Sequence, residues 1–252
     1  AWRGAVDDYG AALARNPDLP GALEGRGRAW LGLGEAQSAH GIDPREAFDA
    51  AVRDLREVLR VVPDAARTWL ACGIAGARRA DAAAERGEDA RPLYALAVAD
   101  LDLALKHDAR LDDALEERGF AWRGLGEERL RRSEDPAEAY DAATADFAAL
   151  MLRRPDDGRS WSWRGSVALR RGDAERRRGE DPGPWFRAAE ADYLEAIQRR
   201  AYEAYLNLGA LYRAWERWED ALTAFGAGAK AVPERKAWAE AQMAEVRERM
   251  GR

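Results

Sequence analysis

The chain has 252 residues, of which 47% are hydrophobic and 34% are charged, so it has enough apolar side chains to fold around a core, which argues against disorder. Its net charge of −6 argues against a protein that binds the phosphate backbone of nucleic acids. A single cysteine, Cys72, excludes an intrachain disulfide and a cysteine-cluster metal site.

The longest strongly apolar run without a charge, TWLACGIAGA at 68–77, is far shorter than the roughly 20 residues of a membrane-spanning helix. We therefore expect no membrane segment and a cytoplasmic location, and no secretory signal is visible. The chain starts with Ala1 inside a repeat, which suggests a fragment of a longer protein.

Four stretches along the chain share a pattern in which an acidic residue, followed in three of them by proline, precedes an aromatic residue. They read GIDPREAF at 41–48, GEDARPLY at 87–94, SEDPAEAY at 133–140 and GEDPGPWF at 179–186, and successive copies lie 46 residues apart. A fixed interval of this length indicates a repeat array.

Each interval also carries the signatures of two helices. The first helix has a large residue four positions before a glycine, a spacing that puts both on one face and lets a neighbouring helix approach closely. The second has an aspartate followed by a large apolar residue. The glycines are Gly27, Gly73, Gly119, Gly165 and Gly209, and the aspartates are Asp8, Asp54, Asp100, Asp146 and Asp192.

Two helices per interval form an antiparallel hairpin, and no segment alternates with the period of a β-strand. The sequence therefore predicts an all-α solenoid, a single domain in which each hairpin buries its apolar face against the next. In chain order we predict a truncated first unit at 1–19, repeats at 20–65, 66–111, 112–157 and 158–201, a regular repeat at 202–234 and a capping helix at 235–252.

The last complete unit, EAYLNLGALYRAWERWEDALTAFGAGAKAVPE at 203–234, resembles a tetratricopeptide repeat (TPR). The signature positions of that family are occupied by Tyr205, Leu208, Gly209, Tyr212, Ala221, Phe225 and Pro233. The resemblance implies a right-handed superhelix whose first helices line a concave groove for peptides or partner proteins.

The other units are longer, with 44 or 46 residues against the 34 of the family, and the additional residues lie at the corner between the two helices. The stretch 81–101, DAAAERGEDARPLYALAVADL, favours added helix over a loop because it is rich in alanine and has charges at helical spacing. We expect first helices of roughly 20 residues, about 30 Å long, in the central units.

The Asp-Pro corners read as helix starts, with Asp as the N-cap and Pro as the first helical residue. Asp43 with Glu46 and Asp135 with Glu138 have capping-box spacing. Each corner offers too few carboxylates for a metal ion, so we predict no metal site.

Arginines precede the corners, where positive charge complements the end of a helix. As an alternative, they form a basic rim that binds an anionic partner, together with the additional aromatic Trp185 of the last copy. These arginines are Arg131, Arg132, Arg176, Arg177 and Arg178.

Three arginines stand directly before the recurrent glycines, and we expect each to pair with the aspartate of its own hairpin. The pairs are Arg26 with Asp54, Arg118 with Asp146, and Arg164 with Asp192. The regular unit supports the pairing because it has Leu208 and Ala224 at the two positions, so neither charge is left alone. Cys72 opposite Asp100 is an exception.

No phosphate-binding glycine loop, serine-nucleophile elbow or zinc motif is present, and His40 and His107 are isolated. We therefore predict that the fragment is not an enzyme and has no cofactor.

The register of the family gives the candidate groove residues of this chain. They are Arg67, Leu70 and Ile74, then Asp113, Glu116, Glu117 and Phe120, then Arg159, Ser162 and Trp163, and finally Glu203 and Asn207. Some members of the family grip a C-terminal carboxylate with basic residues, but Asp113 and Glu117 stand at the last two of those positions here, so we reject that ligand.

The leading hypothesis is a non-enzymatic scaffold that binds a peptide or partner protein of basic or mixed charge with an apolar anchor, and neither nucleic acid nor a membrane. A second is the repeat region of a larger bacterial signalling protein such as a Ser/Thr kinase. A third is self-association through the N-terminal end.

Overall fold

The computed structural model describes residues 1–251, and this range contains twelve α-helices, one 3₁₀ helix and no β-strand. The helices are α1 (Trp2–Arg15), α2 (Pro20–Ala39), α3 (Arg45–Val61), α4 (Ala66–Glu85), α5 (Arg91–His107), α6 (Asp112–Arg131), α7 (Ala137–Arg153), α8 (Gly158–Arg177), α9 (Gly183–Gln198), α10 (Ala204–Ala214), α11 (Trp218–Ala231), the 3₁₀ helix Pro233–Arg235 and α12 (Lys236–Met250).

The chain forms two compact units, Ala1–Asp135 and the residues from Pro136 onward. Within each unit every helix packs against its neighbours in sequence, and α2 contacts α4, α4 contacts α6 and α8 contacts α10. The predicted all-α solenoid of helix hairpins is therefore confirmed. The exact repeat boundaries stay a prediction.

The first helices of the elongated units, α2, α4, α6 and α8, have 20 residues each, whereas α10 of the regular unit has 11. The additional residues of the long units are thus helical, as the alanine-rich sequence indicates.

The recurrent glycines lie where a large side chain of the second helix crosses the first. A Cβ atom on Gly27 would lie 2.8 Å from Leu55 Cγ, and one on Gly73 would lie 2.5 Å from Leu101 Cγ. Gly209 meets Phe225 in the same way, at 2.6 Å. Any larger residue would push the two helices apart, so the glycine sets the distance between them.

A second set of small residues receives the corner aromatics. A Cβ atom on Gly34 would lie 2.5 Å from the Phe48 ring, and one on Gly172, at the same position of its repeat, would lie 2.4 Å from Phe186 Cε1. Both glycines lie in the part of the first helix that the regular unit lacks. The elongated hairpin therefore has its own packing site beyond the ordinary repeat.

At the corners, the N-cap of the second helix lies one residue later than predicted. Pro44 and Pro182 are themselves the N-caps, and the preceding Asp43 and Asp181 accept hydrogen bonds from the backbone N–H two residues later, at 3.1 and 2.9 Å. The assignment of Asp as N-cap and the capping box with Glu46 are wrong, because proline disfavours helical geometry in the residue before it and its own carbonyl accepts the first helical bond.

Two of the predicted Arg–Asp pairs are present as bidentate ion pairs. Arg26 donates to Asp54 at 2.6 and 2.8 Å, and Arg164 donates to Asp192 at 2.8 and 2.6 Å. Both aspartates are buried while the arginines keep partial contact with solvent. Arg118 contacts Asp102 at 2.6 Å, and its pairing with Asp146 stays a prediction.

Cys72 stands where the other hairpins have an arginine, so Asp100 has no arginine of its own hairpin to pair with. An arginine from the preceding hairpin takes that place. Arg56 of α3 donates to both oxygens of Asp100 at 2.8 and 2.9 Å, and the Cys72 thiol donates to the same carboxylate at 3.3 Å. The buried carboxylate thus obtains its cation from a neighbouring repeat.

The exposed tips of the first unit are joined by ion pairs from one repeat to the next. Asp89 pairs with Arg91 of its own tip at 2.7 Å and lies 3.5 Å from Arg132 of the following tip. Arg91 also contacts Glu134 of that tip. Arg86 lies 3.6 Å from Asp43 of the preceding tip. Arg86, Arg91 and Arg132 therefore connect successive repeats of the first unit.

We expect the substitution Arg26→Leu to lower the free energy of unfolding by roughly 2 kcal/mol, since it leaves the Asp54 carboxylate buried without its cation. The double variant Arg26→Leu plus Asp54→Ala, which copies the regular unit, should be more stable than Arg26→Leu alone. Urea denaturation followed by circular dichroism measures both. A double variant as unstable as the sum of the single variants would contradict the pairing.

We expect Gly34→Ala to destabilise the protein by about 1–3 kcal/mol, because the methyl group overlaps the buried ring of Phe48. Gly10→Ala is the matched control, since Gly10 is also helical and nothing lies within 4 Å of the place its methyl group would take; it should gain up to about 1 kcal/mol from helix propensity. The thermal midpoints of the two variants should move in opposite directions.

The tip ion pairs make stability depend on pH. The hydrogen bond from Arg91 lowers the pKa of Asp89 to about 2, so its stabilisation is complete above the ordinary pKa of about 3.8 and is lost as pH falls towards 2. Asp89→Asn should therefore lower the thermal midpoint at pH 7, and the difference from wild type should shrink between pH 4 and pH 3. Asp64→Asn, in the exposed loop between α3 and α4, is the control and should show no such convergence.

Candidate functional site

The predicted groove residues fall on the first helices of both units. Arg67, Leu70 and Ile74 lie on α4, and Asp113, Glu116, Glu117 and Phe120 lie on α6. In the second unit Arg159, Ser162 and Trp163 lie on α8, Asn207 lies on α10, and Glu203 is the N-cap of α10.

In the second unit the structure brings all five predicted residues together. Arg159, Ser162, Trp163, Glu203 and Asn207 line one open depression of about 440 Å³ between α8 and the start of α10. Its remaining walls are Arg200, Ala201, Tyr202 and Ala204. We call this depression the α8–α10 site.

One wall of the α8–α10 site is a stack built on Trp163. The indole lies against the buried Phe147 ring, with centroids 5.7 Å apart, and the Arg159 guanidinium lies 5.5 Å from the indole centroid. Asp157 accepts two hydrogen bonds from the Arg159 side chain, at 3.0 and 2.9 Å, and these lower the pKa of the Asp157 carboxyl. These two contacts restrict the position of the indole, and because Trp163 is only half-buried, part of its ring remains accessible in the depression.

The opposite wall carries an amide. Asn207 Nδ2 donates to the Ser162 hydroxyl oxygen at 3.0 Å, and Ser162 is only 7% exposed. This bond orients the Asn207 side chain, whose carbonyl oxygen and second N–H remain for a ligand. The site thus combines an aromatic wall with a fixed hydrogen-bonding group.

Sequence reasoning missed Arg200 and Tyr202. They lie in the connection from α9 to α10, where Arg200 adopts the left-handed conformation with φ of 65° and Tyr202 remains 45% exposed. The sequence does indicate that this connection differs from the others, because the interval between recurrent glycines falls from 46 to 44 residues here. The changed length gives the connection a new path past the end of α8.

In the first unit, Glu117 has a structural role. Arg78 of α4 donates to both Glu117 oxygens at 3.1 and 3.2 Å, and the Glu117 side chain is 15% exposed. Burial raises the pKa of Glu117. This carboxylate links α4 to α6, so reversing its charge would disturb the fold as well as any ligand.

The other candidates of the first unit differ in exposure. Arg67 and Asp113 are exposed, while Leu70, Ile74, Glu116 and Phe120 are half-buried. The Arg67 backbone carbonyl accepts a hydrogen bond from Arg28 of α2 at 3.2 Å, and Arg123 lies over the Phe120 ring at 5.3 Å. Arg67 therefore contributes to a contact between α2 and α4, whereas the contact of Phe120 with Arg123 lies within α6.

Cys72 and His40 have side chains that can take part in catalysis or bind a metal ion, but both are in contacts within the fold. Burial raises the pKa of the Cys72 thiol, which keeps it protonated, and His40 Nδ1 lies 2.7 Å from the Ala36 carbonyl. In the described part of the chain, no group of three or more His, Cys, Asp and Glu residues is arranged to hold a metal ion. No helix within residues 1–251 combines the length and the hydropathy needed to cross a membrane.

The tip tryptophan Trp185 also has a partner. The Arg171 guanidinium lies 5.0 Å from its ring centroid, and Arg171 in turn pairs with Glu175 at 2.8 Å. Trp185 lines a shallow depression with Glu175, Arg178, Glu180 and Asp181. That this tip binds an anionic partner stays a prediction, and three acidic residues around Trp185 make an anion a poor fit.

No protein-family model and no curated protein matches the sequence. Solved structures do match. A tetratricopeptide repeat protein from Parabacteroides merdae aligns over 97% of this chain and 77% of its own, with a TM-score of 0.58 and 15% identity. TTC0263, a thermophilic TPR protein from Thermus thermophilus, aligns over 87% and 98%, with a TM-score of 0.56 and 18% identity. MamA from Desulfovibrio magneticus aligns over 84% and 96%, with a TM-score of 0.50 and 16% identity.

Identities this low are evidence about the fold alone. The fold evidence agrees with the sequence, since the signature residues at 203–234 form the regular hairpin of α10 and α11 and the glycines recur at the crossing of the two helices. This chain has the tetratricopeptide-repeat fold.

Proposed function

We propose that the protein is a non-enzymatic interaction scaffold that binds an extended peptide segment of a partner protein in the α8–α10 site. The observation that carries the proposal is that five residues chosen by repeat register line a single depression with an aromatic wall and an oriented amide.

The chemistry of the site favours an apolar anchor. Trp163 and Tyr202 supply aromatic surface, which releases water favourably when an apolar side chain covers it. The Arg159 charge is offset by Asp157, and the lining holds Glu203 as well as Arg200, so no single charge dominates. A large apolar side chain therefore suits the depression better than a charged one.

The amide suits an extended backbone. Asn207 can accept from a peptide N–H with its carbonyl oxygen and donate to a peptide C=O with its second amide hydrogen. An extended segment offers both groups without breaking a bond of its own, whereas the backbone groups of a helix are already occupied. We therefore propose an extended peptide with one large apolar residue as the ligand.

The test is selection of binding peptides from a displayed random library, followed by affinity measurements on variants. We expect selected peptides to share a large apolar residue, and we expect Tyr202→Ala and Asn207→Ala each to weaken binding by roughly tenfold, about 1.4 kcal/mol. Tyr202 is exposed, so its removal tests the site with little effect on folding.

The matched control is Trp238→Ala, which removes a similarly exposed aromatic from α12 and should leave affinity unchanged. A library that yields only peptides indifferent to both Tyr202 and Asn207 would contradict the proposed site.

A further inference from the structure

The helix α1 exposes a face that other helices of its kind bury. The register of the repeat makes α1 equivalent to the second helices α3, α5 and α9, each of which packs against the first helix of its own hairpin. α1 instead packs on α2, the first helix of the following hairpin. Its open side carries Trp2, Ala5, Asp8 and Tyr9, and we call this side the α1 face.

The two aromatic residues of the α1 face are far more exposed than their equivalents. Trp2 is 50% and Tyr9 is 38% exposed, whereas the equivalent Phe186 and Tyr193 of α9 are each 1% exposed. The helices α3 and α5 also bury their equivalents, which are Phe48, Leu55, Tyr94 and Leu101. The α1 face therefore has the composition of an interior contact surface.

The helix α2 holds one side of each ring. A Cβ atom on Gly25 would lie 2.4 Å from Tyr9 Cζ, and one on Gly32 would lie 2.6 Å from Trp2 Cε2. These close contacts restrict both rings while part of each remains in contact with solvent. The surface is thus formed before a partner binds.

The aspartate of the α1 face lacks the cation that its equivalents have. Asp54, Asp100 and Asp192 are buried, and each accepts two hydrogen bonds from an arginine. Asp8 is exposed, and no arginine or lysine within residues 1–251 pairs with it. A helix that covered Asp8 would have to supply a cation, because a buried carboxylate without one is costly.

The hairpin of α8 and α9 shows which helix fits, because α9, like α1, has an aromatic residue at the corner and a tyrosine at the crossing. A Cβ atom on Gly165 would lie 2.9 Å from the Tyr193 ring, and one on Gly172 would lie 2.4 Å from the Phe186 ring. Arg164, directly before the first glycine, supplies the cation. A fitting helix therefore carries Arg-Gly and a second small residue seven positions after that glycine.

We propose that the α1 face docks an α-helix of a partner protein with this pattern. The arginine of the partner helix pairs with Asp8, and its two small residues make room for Tyr9 and Trp2. This surface is separate from the α8–α10 site, and the inference does not rest on the function proposed for that site.

A second copy of this chain fits the α1 face less well. Because α1 runs from residue 2 to residue 15, two α1 helices packed antiparallel about their midpoints would bring their Asp8 carboxylates close together. The helix α12 has Gln242 and Met243 where Arg-Gly is needed, 34 residues after Leu208 and Gly209. It therefore offers neither the cation nor the space.

The probe is a capped peptide with the sequence of α8, GRSWSWRGSVALRRGDAERR at 158–177. Its control carries Gly165→Leu, which keeps the charge of the peptide but fills the space that Tyr9 needs. We expect isothermal titration calorimetry with the full chain to detect binding of the first peptide alone. The protein variant Asp8→Asn should weaken this binding by roughly tenfold, because the peptide arginine loses its charge partner.

The matched control variant is Asp7→Asn, which removes the same charge from the neighbouring exposed position and should change affinity by no more than about twofold. Both substitutions keep the shape of an exposed side chain, and circular dichroism would verify the fold. Equal losses in the two variants, equal binding of the two peptides, or no binding to wild type would each overturn the proposal.

Light scattering tests the remaining occupant of the α1 face. We expect wild type without peptide to be a monomer. A wild-type dimer that the substitution Tyr9→Arg converted to a monomer would overturn the proposal, because a second copy of the chain would then cover the face.

Discussion

The structure depends on how closely the two helices of a hairpin approach each other. Glycine at one crossing position lets a leucine or an aromatic ring of the second helix lie directly on the backbone of the first, as at Gly27 with Leu55 and Gly73 with Leu101. Because interiors are packed at crystal density, this contact sets the separation of the helices and, through it, the position of every other side chain on the hairpin. The buried pairs Arg26–Asp54 and Arg164–Asp192 each bridge two helices held at that separation.

Two kinds of charge interaction link the helices, some within a hairpin and some between repeats. Buried aspartates on second helices need a cation, and the identity of the donor varies: Asp54 takes Arg26 of its own hairpin, while Asp100 takes Arg56 of the preceding one. At the tips, exposed pairs such as Asp89 with Arg132 connect successive corners and remain open to salt and solvent. A buried aspartate needs its cation, because an unpaired carboxylate in the interior lowers the free energy of unfolding. The exposed tip pairs can change with little effect on stability.

The fold was predictable from the sequence because a repeat shows the same constraint several times. Glycines at a constant interval, and the joint change to Leu208 and Ala224, identified the helix crossing and the buried pairs. Features that occur once were not predictable. The role of Arg56 depends on contact between repeats, and the part of Arg200 and Tyr202 in the α8–α10 site depends on a left-handed residue in a shortened connection. The corner was misplaced by one residue because Asp-Pro fits two helix starts that differ only in which carbonyl accepts first.

Elongation of the hairpins adds helical turns that an ordinary TPR hairpin does not have. An ordinary TPR hairpin offers the face of its first helix, and here that face provides the α8–α10 site. The added turns need new packing, which Phe48 on Gly34 supplies, and they place a new row of side chains beyond the ordinary groove. At one position of that row every elongated repeat has a small residue, such as Gly34. The residue after it is acidic in all four copies, for example Glu35 and Asp81. Asp81 accepts a hydrogen bond from the Tyr94 hydroxyl, and the equivalent acids Glu127 and Asp173 lie 3.7 and 2.8 Å from arginines of their own helices. The insertion that lengthens the repeat therefore also brings its own charge contacts.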